Sequence, residues 1–184
     1  MKIIKRGSST VHGYAKNVKV LPKYCAILQA KRSGSKNLSR KEWVIAEQKA
    51  AKLISGFSKQ SKFLIAAALY WGEGAKRDFS LSNTDPALIK VFVSCLKEFG
   101  ITKDKLRITL RIYEDLNKSS AIKFWSKIMG VSTKQISNVN ILKGKKKGKL
   151  KYGMCRIRIA KGGRYLKLIQ SIIKLIAVNH NKPL

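Results

Sequence analysis

The chain has 184 residues, 40 of them Lys or Arg and nine Asp or Glu, for a formal net charge of +31. That excess repels itself in a compact fold and is relieved by a polyanion, because each neutralised phosphate also releases a condensed counterion; the charge alone does not separate DNA from RNA. A hydrophobic fraction of 45% excludes a disordered basic tail, and the longest apolar run, Phe63 to Trp71, is too short to span a bilayer.

In chain order, residues 1–38 are basic and irregular. The first ten residues lack the apolar region of a signal peptide. Ser8, Ser9 and Thr10 are suited to open a short helix reaching Val18, with Pro22 marking its end. Gly34 and the Ser and Lys residues around it read as a linker. Ser39 and Glu42 have the spacing of a capping box, which predicts a helix from there to about Ile54, ended by Gly56. The next helix, about Ser61 to Gly72, is almost wholly apolar and is expected to be buried on most sides. Phe79 to Ser82 reads as a short strand. Asp85 and Pro86 open a helix that stops at Gly100. Lys105 to Tyr113 alternates strictly and is the clearest strand. Asn117 caps a helix that ends at Gly130. Strands follow at about Gln135 to Leu142 and Tyr152 to Ala160, separated by the basic run at 143–151, and an amphipathic helix covers about Arg164 to Val178. The division expected is an N-terminal arm over residues 1–60 and a main domain over 61–184.

The alternation in these strands points to chemistry. Leu106, Ile108, Leu110 and Ile112 lie on one face of their strand, with Lys105, Arg107, Thr109 and Arg111 on the other. Arg156 and Arg158 oppose Cys155, Ile157 and Ile159, Asn138 and Asn140 oppose Val139 and Ile141, and Ser80 and Ser82 oppose Phe79 and Leu81. In one strand this is a solvated face. Four such strands in a single sheet give a surface of side chains that bind phosphates and read base edges. Lys145, Lys146 and Lys147 are added as a mobile phosphate clamp. Cys25, Cys95 and Cys155 are isolated and form no zinc-ligand spacing with His12 or His180. They read as buried or half-buried thiols of a reducing cytoplasm, and no small-molecule cofactor is expected.

Few enough acids are present to take singly. Glu42 is assigned to the capping box, Glu47 to a solvated helix face and Asp85 to an N-cap. Glu98 and Asp104 lie near a helix end and a turn, Glu114 and Asp115 in a turn, and Asp78 at a strand start. Glu73 stands apart, since a carboxylate at the C-terminal end of a buried helix opposes the helix dipole. Either Lys76 or Arg77 compensates it, or a divalent metal does.

The segment AAALYWGEG, Ala66 to Gly74, resembles the signature of the LAGLIDADG homing endonucleases. Asn83 to Pro86, the strand GMCRIRI and the basic terminal helix are similar to small proteins of that type, and the resemblance spans roughly residues 61–178. It implies a homodimer in which Ala66, Ala67, Ala68 and Tyr70 pack two helices together. It implies that Glu73 holds Mg²⁺ or Mn²⁺, with Lys76 stabilising developing charge, for hydrolysis of double-stranded DNA. One departure is visible: a helix separates the first two strands, where the family has a hairpin. The segment STVHGYAKNVKVLP resembles the recognition helix of a helix-turn-helix, expected here to be truncated or to act as a basic arm. The reading is an α/β (α+β) fold with a mixed or antiparallel four-stranded sheet, its basic DNA-facing surface backed by helices. The alternatives are a non-catalytic regulator of the same fold and a structural RNA binder.

Overall fold

A computed structural model describes residues 22–54, 56–144 and 150–180. The chain divides into two units, Met1–Gly56 and Phe57–Leu184. Among the described residues of the first unit one helix, α1, runs from Pro22 to Leu53, and this revises two expectations. Gly34 is a helical residue and not part of a linker; a glycine inside a helix costs about 1 kcal/mol relative to alanine and does not forbid it. Ser39 and Glu42 lie within the same helix, so their spacing caps nothing. The proposed helix at residues 8–18 and the helix-turn-helix segment before Pro22 lie outside the described residues.

The second unit begins with α2, Lys59–Glu73, whose N-cap Ser58 accepts from the Ser61 N–H. Four strands follow, β1 (Ser80–Asn83), β2 (Leu106–Tyr113), β3 (Ile136–Leu142) and β4 (Met154–Ile159), interleaved with helices α3 (Pro86–Leu96), α4 (Lys118–Met129) and α5 (Gly163–His180). The caps follow the local chemistry read above. Asp85 accepts from the Ala87 N–H ahead of α3. Asn117 accepts from the Ser120 N–H ahead of α4, which ends on the left-handed Gly130.

The sheet order is β1-β4-β2-β3. β4 pairs antiparallel with both β1 and β2, while β2 and β3 are parallel. The sheet is therefore mixed: β1, β2 and β3 run one way and β4 against them. Parallel neighbours need a crossover connection, and α3 and α4 supply the links from β1 to β2 and from β2 to β3. The helix between the first two strands is thus present.

The apolar sides of the strands pack on the helices. Leu81, Ile108, Leu110, Ile112, Cys155 and Ile157 are fully buried with Phe92, Trp125 and Ile169. Burial pushes the Cys155 thiol up to about 12, the behaviour of an inert core residue. Cys95 is also buried, whereas the Cys25 side chain is outside the described set. The Trp125 indole N–H donates to the Tyr152 carbonyl at 2.8 Å, and Phe124 stacks on Tyr152 with centroids 3.8 Å apart, fastening α4 to the start of β4. Gly153, at φ 66°, is required there, because a Cβ would lie 2.4 Å from the Arg111 carbonyl. No described helix is long and apolar enough to cross a membrane.

Candidate nucleic-acid interface

The strand register brings the polar side chains into rows across the uncovered side of the sheet. One row runs Ser82, Arg156, Thr109, Asn138. Beside it Ser80, Arg158 and Arg107 are aligned, and on the other side Met154, Arg111 and Asn140. Arg107, Arg111, Arg156 and Arg158 are all exposed, as are Asn138 and Asn140. A depression of about 350 Å³ is lined by Arg107, Thr109, Asn138, Asn140, Arg156 and Arg158. A register shift in β3 just before Asn138 keeps both asparagines on this side; it is the kind of irregularity that re-aims side chains.

Two electrostatic features distinguish this surface from an ordinary solvated face. First, Arg107 stands directly opposite Arg158, and like charges across strands destabilise a sheet. Arg107 donates to the backbone carbonyls of Asp104 at 2.7 Å and Leu106 at 3.3 Å, and neither arginine pairs with a carboxylate among the described residues. Second, the acid that does reach the surface is already engaged. Arg156 Nη2 donates to Asp78 Oδ2 at 2.9 Å and to Ser80 Oγ at 3.2 Å, and the Ser80 hydroxyl donates to Asp78 Oδ1 at 2.7 Å. Ser80, expected on the open polar face, is buried beneath this network. The role of Asp78 was not legible in the sequence, because its partner lies 78 positions away and no local pattern links them.

Lys105 does not join the arginines. It is half-buried at the end of a short 3-10 turn before β2, and its carbonyl accepts the Ala160 N–H at 2.8 Å. Lys145, Lys146 and Lys147 lie outside the described residues.

The α2 residues assigned to chemistry and dimerisation divide differently from the expectation. Glu73 is the last residue of α2 and is exposed, as are Lys76 and Arg77. A buried helix-end carboxylate in need of a cation is therefore corrected: water solvates Glu73, and it forms no ion pair with Lys76 or Arg77. No group of three or more His, Cys, Asp or Glu with metal-holding geometry occurs among the described residues. Ala66, Ala67 and Tyr70 are buried within this chain, and only Ala68 of the four is exposed. Tyr70 donates its hydroxyl to the Ala75 and Asp78 carbonyls, tying the turn into β1, and burial raises its pKa. The expectation that α2 is buried on most sides is likewise corrected. Leu64, Ala68 and Trp71, at i, i+4 and i+7, form an exposed apolar stripe along it, with Leu64 45% and Trp71 55% exposed.

Comparisons with known protein families, curated proteins and solved structures find no match to this chain.

Proposed function

We propose that this chain binds duplex DNA through the polar face of its sheet. The observation that carries this reading is the Arg107–Arg158 pair, set among Arg111 and Arg156 on a face whose nearby acid is already bonded. Within the fold that arrangement is unfavourable; phosphates turn it into charge-assisted bidentate contacts. Asn138 and Asn140 make no side-chain hydrogen bond among the described residues, leaving amides suited to base edges. Four strands spaced about 4.8 Å apart span roughly 14 Å, comparable with a B-DNA major groove of about 12 Å. The A-form RNA major groove is too deep and narrow for side chains to read, which favours DNA over a structural RNA partner.

The test is duplex affinity measured against salt for wild type and for a variant with Arg107, Arg111, Arg156 and Arg158 all changed to Ala. The log–log slope should become shallower by about 0.9 for each phosphate the variant no longer neutralises. Wild type should bind DNA more tightly than an A-form RNA duplex of equal length, and the reverse order would overturn the choice of DNA. Wild-type affinity in the variant removes the sheet from the interface.

Cleavage is the second reading, favoured by Glu73. Its free carboxylate sits at the negative end of α2, where helix-end carbonyls also attract cations. A bound Mg²⁺ or Mn²⁺ would supply an activated water and stabilise the leaving oxygen of a phosphodiester. Glu73 would hold it, and Lys76 would offset developing charge. One chain offers one such carboxylate, so this reading requires a homodimer, formed through Leu64, Ala68 and Trp71. A nicking assay on Glu73→Gln decides the matter. Abolished nicking with retained DNA binding supports the endonuclease; tight binding by wild type without nicking in either metal leaves a non-catalytic DNA-binding regulator.

A further inference from the structure

The two edges of the sheet are finished differently. β1, at one edge, is four residues long, and the chain just ahead of it covers its outer side. Gly74 bridges Leu81, and the Ala75 N–H donates to the Ser80 carbonyl at 2.8 Å. β3, at the other edge, is seven residues long and pairs with β2 alone among the described residues. Edge strands are ordinarily blunted by charge, proline or brevity, because a free row of N–H and C=O groups templates another strand. β3 has neither charge nor proline, in a chain carrying 40 Lys or Arg.

The backbone of β3 leaves a defined set of groups facing outward. The Glu114 N–H donates to the Leu142 carbonyl at 3.1 Å, so that carbonyl points towards β2. Backbone groups alternate in direction along a strand. Those of Asn140 therefore face β2 as well, and those of Val139 and Ile141 face away from it. The side chains of these two residues add an apolar demand. They lie on the helix-covered side of the sheet, beside the buried Leu110 and Ile112. Yet Val139 is half-buried and Ile141 is 58% exposed, so the cover over β2 gives out at β3.

These features are self-complementary. A two-fold axis normal to the sheet at Asn140 sets β3 antiparallel to the same strand of a second copy. Val139 then stands opposite the partner's Ile141, and Ile141 opposite the partner's Val139. Each such pair exchanges two backbone hydrogen bonds, and the four apolar side chains meet on the helix side. The two copies of Asn140 face one another at the non-hydrogen-bonded position, where side chains lie closest, and an amide both donates and accepts. No charge stands within the paired strands, which matters between two bodies of +31 each. Free copies still repel through the rest of their charge, and a polyanion shared by both relieves that repulsion.

We propose that two copies of this chain, bound side by side on one duplex, pair antiparallel through their β3 edges into a continuous eight-stranded sheet. Resting on the sheet-face reading, the inference adds the stoichiometry and symmetry of the complex. The two-fold axis keeps both polar faces on the same side, so a second set of arginines reaches adjoining phosphates. The outward stripe of α2 takes no part in this contact.

The experiment titrates the full chain onto a labelled duplex of about three turns, roughly 30 bp, with stoichiometry read by sedimentation and cooperativity by the Hill coefficient. Wild type should reach two copies per duplex with a coefficient of about 2, the ceiling for two coupled sites. Ile141→Lys puts a charge on the edge at an exposed position, so the melting temperature and the affinity of the first copy should hold while the coefficient falls to about 1. Mixing Ile141→Lys with Val139→Glu sets opposite charges across the pair and should restore the cooperativity that neither variant shows alone. Trp71→Glu should leave it intact. Non-cooperative binding by wild type, or wild-type cooperativity in Ile141→Lys, overturns the pairing. A mixture no better than its parts overturns the antiparallel register, and a loss confined to Trp71→Glu overturns β3 in favour of α2. Wild type that binds the duplex tightly but without cooperativity sinks this inference and spares the sheet reading; wild type that binds no duplex sinks both.

Discussion

Of the four arginines on the face, Arg156 is the one held by a carboxylate among the described residues. Asp78 and the Ser80 hydroxyl hold its guanidinium at the β1 edge, so one of the four arginines arrives partly neutralised. With side chains 48% and 34% exposed, this pair belongs to the class worth about 0–1 kcal/mol. Its larger effect is on the field above the sheet. Asp78→Asn should change the melting temperature little and should tighten duplex binding, most clearly at low salt where screening is weakest. Weaker binding would mean that the pair orients Arg156 for its phosphate and that orientation outweighs the removal of the negative charge.

Helix α2 carries two faces with opposite demands. Ala66 and Ala67 are fully buried, and the small side chains allow the helix to approach the rest of the core. Ala67→Leu should therefore overpack this chain's own interior and lower stability by about 1–3 kcal/mol, by an amount independent of protein concentration. Leu64, Ala68 and Trp71 face outward. Trp71→Glu should leave the unfolding free energy of the monomer almost unchanged but abolish any self-association detected by sedimentation. A concentration-dependent loss of stability in Ala67→Leu, with none in Trp71→Glu, would reverse the assignment of the two faces. The alanine run signals in the sequence that something packs closely on this helix. It does not signal whether that partner is the same chain or another, because both satisfy the same pattern.

Every buried core residue of the described chain lies between Ala66 and Ile169, while the described side chains of α1 from Lys36 to Leu53 are exposed. A chain of residues 57–184 should accordingly unfold in one cooperative transition with a melting temperature close to that of the full protein, and scanning calorimetry of the two checks it. The sequence by itself determined the strands at β2 and β4, the caps at Asp85 and Asn117 and the glycine stop at Gly130, because each depends on residues within a few positions of one another. It also separated Arg107, Arg111, Arg156 and Arg158 from their apolar neighbours, since alternation is a property of one strand. It misread α1, where Gly34 and Ser39 resemble breakers but are only weakly unfavourable inside a helix. Tertiary structure alone decided which strands are neighbours. β4, last in the chain, inserts between β1 and β2, and that insertion sets Arg158 against Arg107 and Arg156 near Asp78. It also decided that Glu73 meets water and that Tyr70 faces inward. Those outcomes depend on contacts between residues far apart in sequence, which register and packing fix and local pattern does not.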